Sequence, residues 1–469
     1  MNIRTFFGDV SIAIVAQGVS IGLNVITTLV LPKYLGVEEF GYWQLFLFYV
    51  TYVGFFHLGI NDGVYLIKGG ETRNKIDKSS VTGQFLFSIS YQIIFSVALA
   101  IIAILGRFEE QRTFVVLATS ASIVVINSAL FLGYVFQAMN ETRVFSNSTL
   151  VGSASFLICL AILLALKVSS FEPYIVCYCA SKAMGLLYCL FKSKDMLQIK
   201  DATLKSTITE SAESIRVGIK LMLANVASSL ILGVVRFFVD LEWGIEVFSI
   251  VSFSLAIATF FLMFLTQVSM VLFPYLRQFS NDTVSMAFKT MRDGLNLFLP
   301  AIFVLYPLIS ILLNLWVPEY SESIALFIFL FPICVFDGKM DIVGATYFKV
   351  IRGESKLFAL NIATLAVSAL VTIAGTYVVH SVPFVLFSVA LTLGLRGFAA
   401  ESILAKSLNV SRSSLSWKSI ILSCLFILAN SELTLAFATC AYIGIYAIYL
   451  LMHRSIIKQL INDVSAISK

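Results

Sequence analysis

Apolar segments about 20 residues long recur along the whole chain, separated by short polar stretches. A helix needs about 20 mostly apolar residues to cross the hydrocarbon of a bilayer, so this pattern predicts a polytopic membrane protein. The composition agrees, because 59% of the 469 residues are hydrophobic and 13% are charged. Soluble domains contain about 25% charged residues.

Fourteen segments are long and apolar enough to be predicted as membrane spans. The first is too long for a signal-peptide core and is interpreted as a retained span. The thirteenth is short, so twelve spans plus a re-entrant pair is the alternative. The segments are residues 10–31, 40–60, 83–105, 114–137, 144–166, 173–191, 215–239, 247–272, 294–315, 323–348, 357–379, 382–405, 416–430 and 433–452.

The distribution of basic residues orients these spans. With the N-terminus inside, most of the 32 lysines and arginines fall in segments on the inner side. The outer loops hold Lys33, Arg107, Arg112 and Lys167. Because inner loops of membrane proteins are enriched in basic residues, we expect both termini to be cytoplasmic.

The two halves of the sequence resemble each other at one common offset. "GYVFQAMNETRVF" (133–145) matches "GATYFKVIRGESKLF" (344–358), with Phe136 opposite Phe348. "EEFGYWQLF" (38–46) and "IEVFSIVSF" (245–253) share an acid followed by an aromatic residue. Many transporters consist of two related halves with the substrate site between them. We therefore expect two six-helix lobes with a central cavity.

The predicted fold is an all-α membrane bundle of about 14 transmembrane helices. Its predicted parts are an N-lobe (1–195), a cytoplasmic connector (196–214), a C-lobe (215–410), and a C-terminal helical hairpin with a tail (411–469).

Ionisable side chains inside spans are costly and mark candidate functional sites. The basic ones are Lys182, Lys220, Arg236, Lys339 and Arg396, and the acidic ones are Asp62, Asp337, Asp341 and Glu401. Lys182, Lys339 and Arg396 have similar predicted depths, so cations from both lobes are expected to face one cavity. Such a cavity suits an anionic ligand. Snorkelling to an interface is the alternative for Lys220, Arg236 and Glu401.

The segment "FDGKMD" places two acids inside a predicted span. Asp337 and Asp341 are four residues apart and share a helix face, whereas Lys339 points elsewhere. Two poorly hydrated carboxylates this close cannot both ionise at low cost, so the pair is predicted to take up a proton or a sodium ion. Gly338 could loosen the helix and let Lys339 turn toward the acids. A salt-bridged cluster that only holds helices together is the alternative.

Several function classes lack their sequence signatures. The chain contains no G-x-x-x-x-G-K-[ST] motif, which argues against a built-in ATPase. It also contains no H-E-x-x-H motif, no paired catalytic carboxylates in a predicted outer loop and no large predicted outer loop, which argues against a membrane-bound glycan polymerase, ligase or acyltransferase. Its seven cysteines are scattered, and Cys177-x-Cys179 lacks a second ligand pair, so no metal or other cofactor is expected. Dispersed basic residues argue against a nucleic-acid partner.

Three stretches carry a resemblance to a known family: "VLPKYLGVEEFGYWQLFLFYVTYVGFFHLGINDGV" (30–64), "VLFPYL" (271–276) and "RGESKLF" (352–358). They resemble the O-antigen and capsule repeat-unit flippases of the Wzx type. These belong to the polysaccharide-transporter branch of the MOP (multidrug/oligosaccharidyl-lipid/polysaccharide) superfamily, which also holds drug/sodium antiporters and the lipid II flippase.

The resemblance implies a V-shaped pair of six-helix lobes with alternating access, in the cytoplasmic (inner) membrane of a bacterium. It implies a transporter, not an enzyme, without a cofactor. The implied substrate is an undecaprenyl-pyrophosphate-linked oligosaccharide that moves from the inner to the outer leaflet for O-antigen, capsule or exopolysaccharide synthesis. The other implied partners are H+ or Na+, membrane lipids and a glycan polymerase.

The family's cationic lumen maps, by span, onto Lys182, Arg236, Lys339 and Arg396. Its coupling acid in the second span maps by position onto Asp62, which alternatively caps a helix end. His57 is interpreted as a packed or interfacial residue, with a proton relay as the alternative. Three alternatives remain: a multidrug or cation antiporter of the same fold, a peptidoglycan-precursor (lipid II) flippase, and a membrane glycan-processing enzyme. The long outer loop expected of the last is missing.

Overall fold

The computed structural model describes residues 18–197, 203–277 and 279–467, and all regular structure in these ranges is helical. The predicted all-α class is therefore confirmed. The beginning of the first predicted span (10–17) and part of the predicted connector (198–202) lie outside the described residues.

Residues 18–197 form seven α-helices, with a 3-10 turn at Val53–His57 between the second and the third. They are α1 (Gly18–Leu29), α2 (Leu31–Thr51), α3 (Ile60–Ile67), α4 (Lys78–Leu105), α5 (Glu110–Ala138), α6 (Thr142–Ala165) and α7 (Glu172–Lys192).

The second half begins with 73 residues that form two helices joined at a kink at Gly244. Its described residues also include two π-helical segments, Met340–Ala345 and Gly375–Val379. Its α-helices are α8 (Leu204–Leu276), α9 (Asn281–Phe298), α10 (Tyr306–Trp316), α11 (Ser321–Leu330), α12 (Pro332–Lys339), α13 (Thr346–Val350), α14 (Glu354–Ala374), α15 (Val382–Ser407), α16 (Leu415–Glu432), α17 (Leu435–Met452) and α18 (Arg454–Ile467).

Within the described ranges, 9 helices are long and apolar enough to cross a membrane, or up to 11 if each of two bent pairs counts as one span. The chain is thus a multi-pass membrane protein, but the predicted count of fourteen is not confirmed. One reason is that Leu204–Thr266 passes this test as one stretch of 63 residues, although the kink at Gly244 separates the two predicted spans 215–239 and 247–272 within it. The short segment 416–430 lies in α16, which is not among the nine.

Helix α4 shows how the sequence is sorted in a lipid environment. Its polar residues Gln84, Ser88 and Gln92, spaced at i, i+4 and i+8, are buried, whereas Ile94 and Leu105 are exposed. Gln92 Nε2 donates to Ser88 Oγ at 2.6 Å. Hydrocarbon offers no hydrogen bonds, so polar side chains pack against other helices and apolar ones face outward.

The chain divides into two compact units, Met1–Val226 and Ala227–Lys469. The boundary falls inside α8, whereas the sequence places a connector at 196–214. Residues of this connector from Leu204 onward are already helical. The predicted hairpin, α16 and α17, belongs to the second unit.

Each unit contains the same glycine break early in its sequence. Gly36 has φ 74° and ψ 176°, and Gly244 has φ 78° and ψ −173°. Glycine populates this backbone region at little cost, whereas other residues rarely do. The surrounding sequences are "GVEEF" (36–40) and "GIEVF" (244–248), and both phenylalanines are fully buried. The two segments that share an acid followed by an aromatic residue in sequence thus also share the same backbone conformation at the preceding glycine.

A second pair of turns repeats in the same way. Glu141 N donates to Phe136 O at 2.8 Å, and Gly353 N donates to Phe348 O at 2.7 Å. Asn140 and Arg352, one residue earlier in each turn, are left-handed at φ 60° and 54°. These are Schellman-type helix ends, in which the turn satisfies the last carbonyls of the helix.

Candidate functional site

Lys182 lies on α7 and borders an open polar cleft in the first unit. The cleft measures about 660 Å³ with its mouth, and α1, α2, α6 and α7 line it. Lys182 is exposed, and no acidic side chain pairs with it among the described residues. Its Nζ lies 4.9 Å from the centroid of the Tyr178 ring. The polar side chains that share the cleft with it are Ser20, Asn24, Thr27, Ser153, Tyr178 and Ser181.

Aromatic rings form the inner wall of this cleft. Trp43 stacks on Phe156 at 6.0 Å between centroids, and its ring meets Tyr178 edge-on, also at 6.0 Å. Tyr178 also meets Phe156 edge-on at 5.5 Å. Such interlocked rings fix one another, so they hold the surface below the Lys182 ammonium in place.

Lys182 also borders a second cleft of about 510 Å³, whose wall is more apolar. It is lined on one side by Ile126, Leu130 and Phe145. The two clefts share Gly152, Ser181 and Lys182. A Cβ on Gly152 would lie 3.1 Å from Ser181 O, so small residues leave room where α6 and α7 cross. The ammonium of Lys182 therefore lies where a polar cleft meets an apolar one.

Asp62 lies in the first turn of α3 and is buried, as is His57. The Asp62 Oδ2 atom is 3.7 Å from His57 Nε2. The sequence predicts Asp62 as an ion-coupling acid or a helix cap; the N-cap residue of α3 is Gly59, and no side-chain capping hydrogen bond forms at that position.

Lys339 lies on α12 inside a closed polar cluster of the second unit. Its side chain is 3% exposed, and its Nζ donates to Asn296 Oδ1 at 2.7 Å and to Ser419 Oγ at 2.9 Å. Glu401 Oε1 lies 3.5 Å from the same nitrogen. Glu401 in turn accepts from Ser416 Oγ and from Asn296 Nδ2 at 3.2 Å. Helices α9, α12, α15 and α16 are thereby joined around one buried ion pair.

Arg396 of α15 pairs with Asp337 of α12. Its Nη2 donates to Asp337 Oδ1 at 2.8 Å, with the arginine side chain 5% exposed and the aspartate 18%. Arg396 Nη1 contacts Ser228 Oγ at 3.4 Å, and Nε is buried without a hydrogen-bond partner in the described chain. The arginine therefore retains donor capacity that its neighbours do not use.

Asp341 comes four residues after Asp337 and lies in the π-helical segment Met340–Ala345. Within residues 279–467 no basic side chain forms an ion pair with its carboxylate. A π-helical turn is a local widening of an α-helix that occurs often at functional sites. Of the two predicted carboxylates, Asp337 thus lies on the regular helix α12 and Asp341 on irregular backbone. Lys339 pairs with Glu401 and not with either aspartate.

Arg236 lies on α8 just before the Gly244 break. Its Nε donates to Ser252 Oγ at 3.2 Å, and its guanidinium carbon lies 4.9 Å from the centroid of the Phe248 ring. Both partners follow the break on the same helix. Arg236 thus connects the two segments of α8 that flank Gly244.

Sequence reasoning missed Asn296, because its side chain is uncharged and only ionisable residues in the spans were candidates. It is fully buried, and its backbone carbonyl accepts from Tyr449 of α17 at 3.2 Å. Sequence reasoning also missed Ser416 and Ser419, although serine hydroxyls that can bond to a buried charge were the available signal. The structure unites Lys339 with Glu401 and Arg396 with Asp337, and it places Lys182 and Asp62 in the other unit.

Comparison with solved structures shows a shared fold. The chain is similar to the lipid II flippase MurJ in an inward closed conformation, with 14% identity, a TM-score of 0.67 and coverage of 95% of this chain and 99% of the other. It is also similar to an inward-facing multidrug resistance MATE family transporter of the MOP superfamily (13% identity, TM-score 0.54, 85% and 98% covered). A MOP superfamily transporter from Pyrococcus furiosus gives 14% identity, a TM-score of 0.54 and 86% and 94% coverage.

No family model matches the sequence, and no curated protein matches it. Identities this low establish the fold alone, so membership of the Wzx type stays a prediction. The chain has the fold of MurJ and of MATE transporters.

Proposed function

We propose that this protein is a flippase that moves a polyprenyl-pyrophosphate-linked oligosaccharide from the inner to the outer leaflet of a bacterial cytoplasmic membrane. It works by alternating access, and an H+ or Na+ gradient drives it. The product serves O-antigen, capsule or exopolysaccharide synthesis, with a glycan polymerase as the next partner. The shared fold with a lipid II flippase supports a transporter of this chemical class.

The observation that carries the proposal is the position of Lys182. A polyprenyl-pyrophosphate glycan has a polar sugar end, an apolar tail and two phosphates at their junction. Lys182 likewise stands at the junction of a polar cleft and a more apolar one. An ammonium without a paired acid is suited to bind phosphate.

The remaining lining of the polar cleft fits a sugar. Its hydroxyl and amide groups supply hydrogen bonds, and Tyr178 presents a ring edge beside the lysine. A sugar and a pyrophosphate cannot cross hydrocarbon without such groups, because each unsatisfied polar group costs several kcal/mol there. The prenyl tail can remain in lipid throughout.

In the second unit, Arg396, Asp337 and Asp341 are the proposed participants. Asp337 accepts a hydrogen bond from one nitrogen of the Arg396 guanidinium. It therefore acts as an internal counter-ion until an anionic ligand replaces it. Release of Asp337 beside Asp341 would then favour uptake of a proton or a sodium ion. Arg236 is proposed to bind the substrate too, whereas Lys339 contributes from within its closed cluster by fixing α12.

A lipid II flippase is the second candidate, and the fold match to MurJ over 95% of this chain favours it. Its substrate has the same polyprenyl-pyrophosphate junction, so Lys182 would serve it equally. A drug or cation antiporter shares the fold, but the unpaired cation at Lys182 repels cationic drugs.

The experiment is complementation in a strain that lacks this gene and has no redundant flippase. We expect the deletion to accumulate lipid-linked intermediate and lose surface glycan, and the wild-type gene to restore both. Lys182→Gln should lower the rate of glycan export by about 10-fold or more, since a charged hydrogen bond contributes about 1.5–3 kcal/mol. Lys182→Arg should retain most activity.

Lys220→Gln is the matched control, because Lys220 is exposed and does not line either cleft. Its export rate should equal that of the wild type at equal membrane level. Normal surface glycan in the deletion strain would contradict the function, and full activity of Lys182→Gln would remove Lys182 from the binding site. Loss of viability together with peptidoglycan precursors accumulating would instead identify lipid II as the substrate.

A further inference from the structure

In the first unit one arginine joins the ends of three helical segments. Arg73 precedes α4 and donates to Glu141 from Nε at 2.8 Å and from Nη2 at 2.6 Å. Its Nη1 donates to Asp195 Oδ1 at 2.6 Å and to Lys192 O at 3.1 Å. Glu141 precedes α6, and Asp195 follows α7. The space between these three segments is thus closed by a guanidinium and two carboxylates of the chain.

The second unit has an open pocket where its corresponding segments end. The pocket measures about 1500 Å³ with its mouth. It is lined by residues between α8 and α9, by residues at the end of α13 and by residues at the end of α15. The charged side chains of this lining are Arg277, Asp282 and Arg352, and all three are exposed.

Backbone geometry shows which positions of the two units correspond. In the repeated Schellman-type turns, the amides of Glu141 and Gly353 make the same hydrogen bond to a phenylalanine carbonyl. Both residues are also helix N-caps with similar dihedral angles, φ −93° and ψ 43° for Glu141 and φ −97° and ψ 27° for Gly353. The same alignment places Arg352 opposite Asn140. The second unit therefore lacks this carboxylate and has a cation beside its position.

The second carboxylate of the first unit is also missing from the second unit. Asp195 comes two residues after Ser193, the C-cap of α7. Val410 comes two residues after Leu408, the C-cap of α15. An apolar side chain thus occupies the position that corresponds to Asp195.

An arginine is present before the next capped helix in both units. Arg73 lies four residues before Asp77, whose side chain caps α4. Arg277 lies three residues before Ser280, whose side chain caps α9. The second unit therefore keeps this cation, adds Arg352 and lacks both carboxylates.

The charge of the pocket suits a phosphate. Its two arginines outnumber Asp282, and Lys356 Nζ donates to the lining residue Ser407 at 3.0 Å. Among the described residues no carboxylate forms an ion pair with Arg352. A guanidinium binds two oxygens of a phosphate in the same geometry as two oxygens of a carboxylate. A phosphate can therefore supply the oxygens that Glu141 and Asp195 supply in the first unit.

We propose that this pocket binds the phosphate of an anionic phospholipid headgroup, and that the bound lipid joins the three segments. All three segments are predicted to lie on the inner side of the membrane, next to the headgroups of the inner leaflet. Basic pockets between membrane helices on this side bind anionic headgroups. Leu276, Ile351 and Leu408 also line the pocket, and they offer apolar contacts that a lipid uses and a free phosphate does not.

The lipid site is separate from the proposed substrate site. It lies in the second unit, whereas Lys182 belongs to the first. The inference therefore does not depend on which substrate the protein transports.

The test is native mass spectrometry of the full-length protein in detergent micelles, titrated with phosphatidylglycerol or with phosphatidylcholine of the same acyl chains. We expect the wild type to bind the anionic lipid about 10-fold more tightly, a difference of about 1.4 kcal/mol. Arg352→Asn should bind both lipids equally. Asparagine tolerates the left-handed backbone of this position, φ 54°, so the variant removes the charge without strain. Lys406→Gln is the matched control, because Lys406 is exposed but does not line the pocket.

A second variant restores the missing carboxylate. Gly353→Glu places an acid at the position of Glu141, where it should compete with the headgroup and lower the affinity for phosphatidylglycerol by about 10-fold. Gly353→Gln has nearly the same size without the charge and should keep the wild-type affinity. A Cβ at this position would lie 3.1 Å from a ring carbon of Phe348, so both variants carry the same packing cost and their comparison isolates the charge.

The outcomes separate a lipid site from its alternatives. An unchanged lipid preference in Arg352→Asn, or equal affinities of Gly353→Glu and Gly353→Gln, would overturn the proposal. Inorganic phosphate is added as a competitor, with chloride at equal ionic strength as its control. Phosphatidylglycerol that stays bound supports the lipid site. Displacement by phosphate but not by chloride would identify a soluble anion as the ligand and overturn the assignment to a lipid.

Discussion

The ion pair between Lys339 and Glu401 provides a quantitative test of whether a buried charge serves structure or transport. We consider Lys339→Met, which preserves side-chain volume but removes the ammonium. It eliminates the donors to Asn296 Oδ1 at 2.7 Å and Ser419 Oγ at 2.9 Å and the ion pair at 3.5 Å. Glu401 then stays buried as an uncompensated charge.

Removal of one partner from a buried ion pair typically costs about 3–5 kcal/mol of the free energy of unfolding. We expect Lys339→Met to fall in this range. Glu401→Gln should cost less, because Lys339 keeps two neutral acceptors. In the double variant neither charge of this ion pair is left, so its loss should be smaller than the sum of the single losses by about 2 kcal/mol.

The assay is reversible unfolding in mixed micelles for the four proteins of this double-mutant cycle, with glycan export measured in parallel. Lys339→Met should lose export and stability together, unlike Lys182→Gln, which should lose export alone. A loss in stability below about 1 kcal/mol, or strictly additive losses, would refute the structural role. Unchanged stability with lost export would instead place Lys339 in the substrate site.

Two further predictions concern close contacts. Gly63→Ala should lower the free energy of unfolding by about 2 kcal/mol or more, as overpacking does, because its Cβ would meet a carbonyl of α8 at 1.9 Å. Gly54→Ala is the control, because the space around its Cβ is open. Equal stability of the two variants would contradict the contact. Asp337→Asn should remove the charged partner of Arg396 and raise the affinity for inorganic pyrophosphate by about 10-fold, or 1.4 kcal/mol, measured by isothermal titration calorimetry. An unchanged affinity would show that Asp337 does not compete with anions for Arg396.

The fold class could be predicted from the sequence because hydrocarbon imposes one strong requirement, a run of apolar residues long enough to span it. The breaks within helices could not, because hydropathy alone does not show that α8 kinks at Gly244. The same glycine, in "GIEVF", was a usable signal: compared with "GVEEF" it marks the break in both units.

The residues of the candidate site could be predicted from the sequence, but the contacts between them could not. Periodicity placed Asp337 and Asp341 on one face, but the π-helical segment that carries Asp341 depends on tertiary packing. The partners of Lys339 come from three other helices, and a single sequence contains no information on such long-range contacts. Lys182 differs because its distinguishing property, the lack of a paired acid, follows from the scarcity of acids in its segment.

The repeated Schellman turns bear on the ancestry of the chain. A hydrogen bond from Glu141 to Phe136 in one unit and from Gly353 to Phe348 in the other is a backbone trait that survives although most side chains around it have changed. An ancestor of half the present length, with one glycine break and one such turn, would have encoded the local geometry of either unit. Duplication and fusion through α8 would then have let the two copies diverge, so that an unpaired lysine persists in one and a paired arginine in the other.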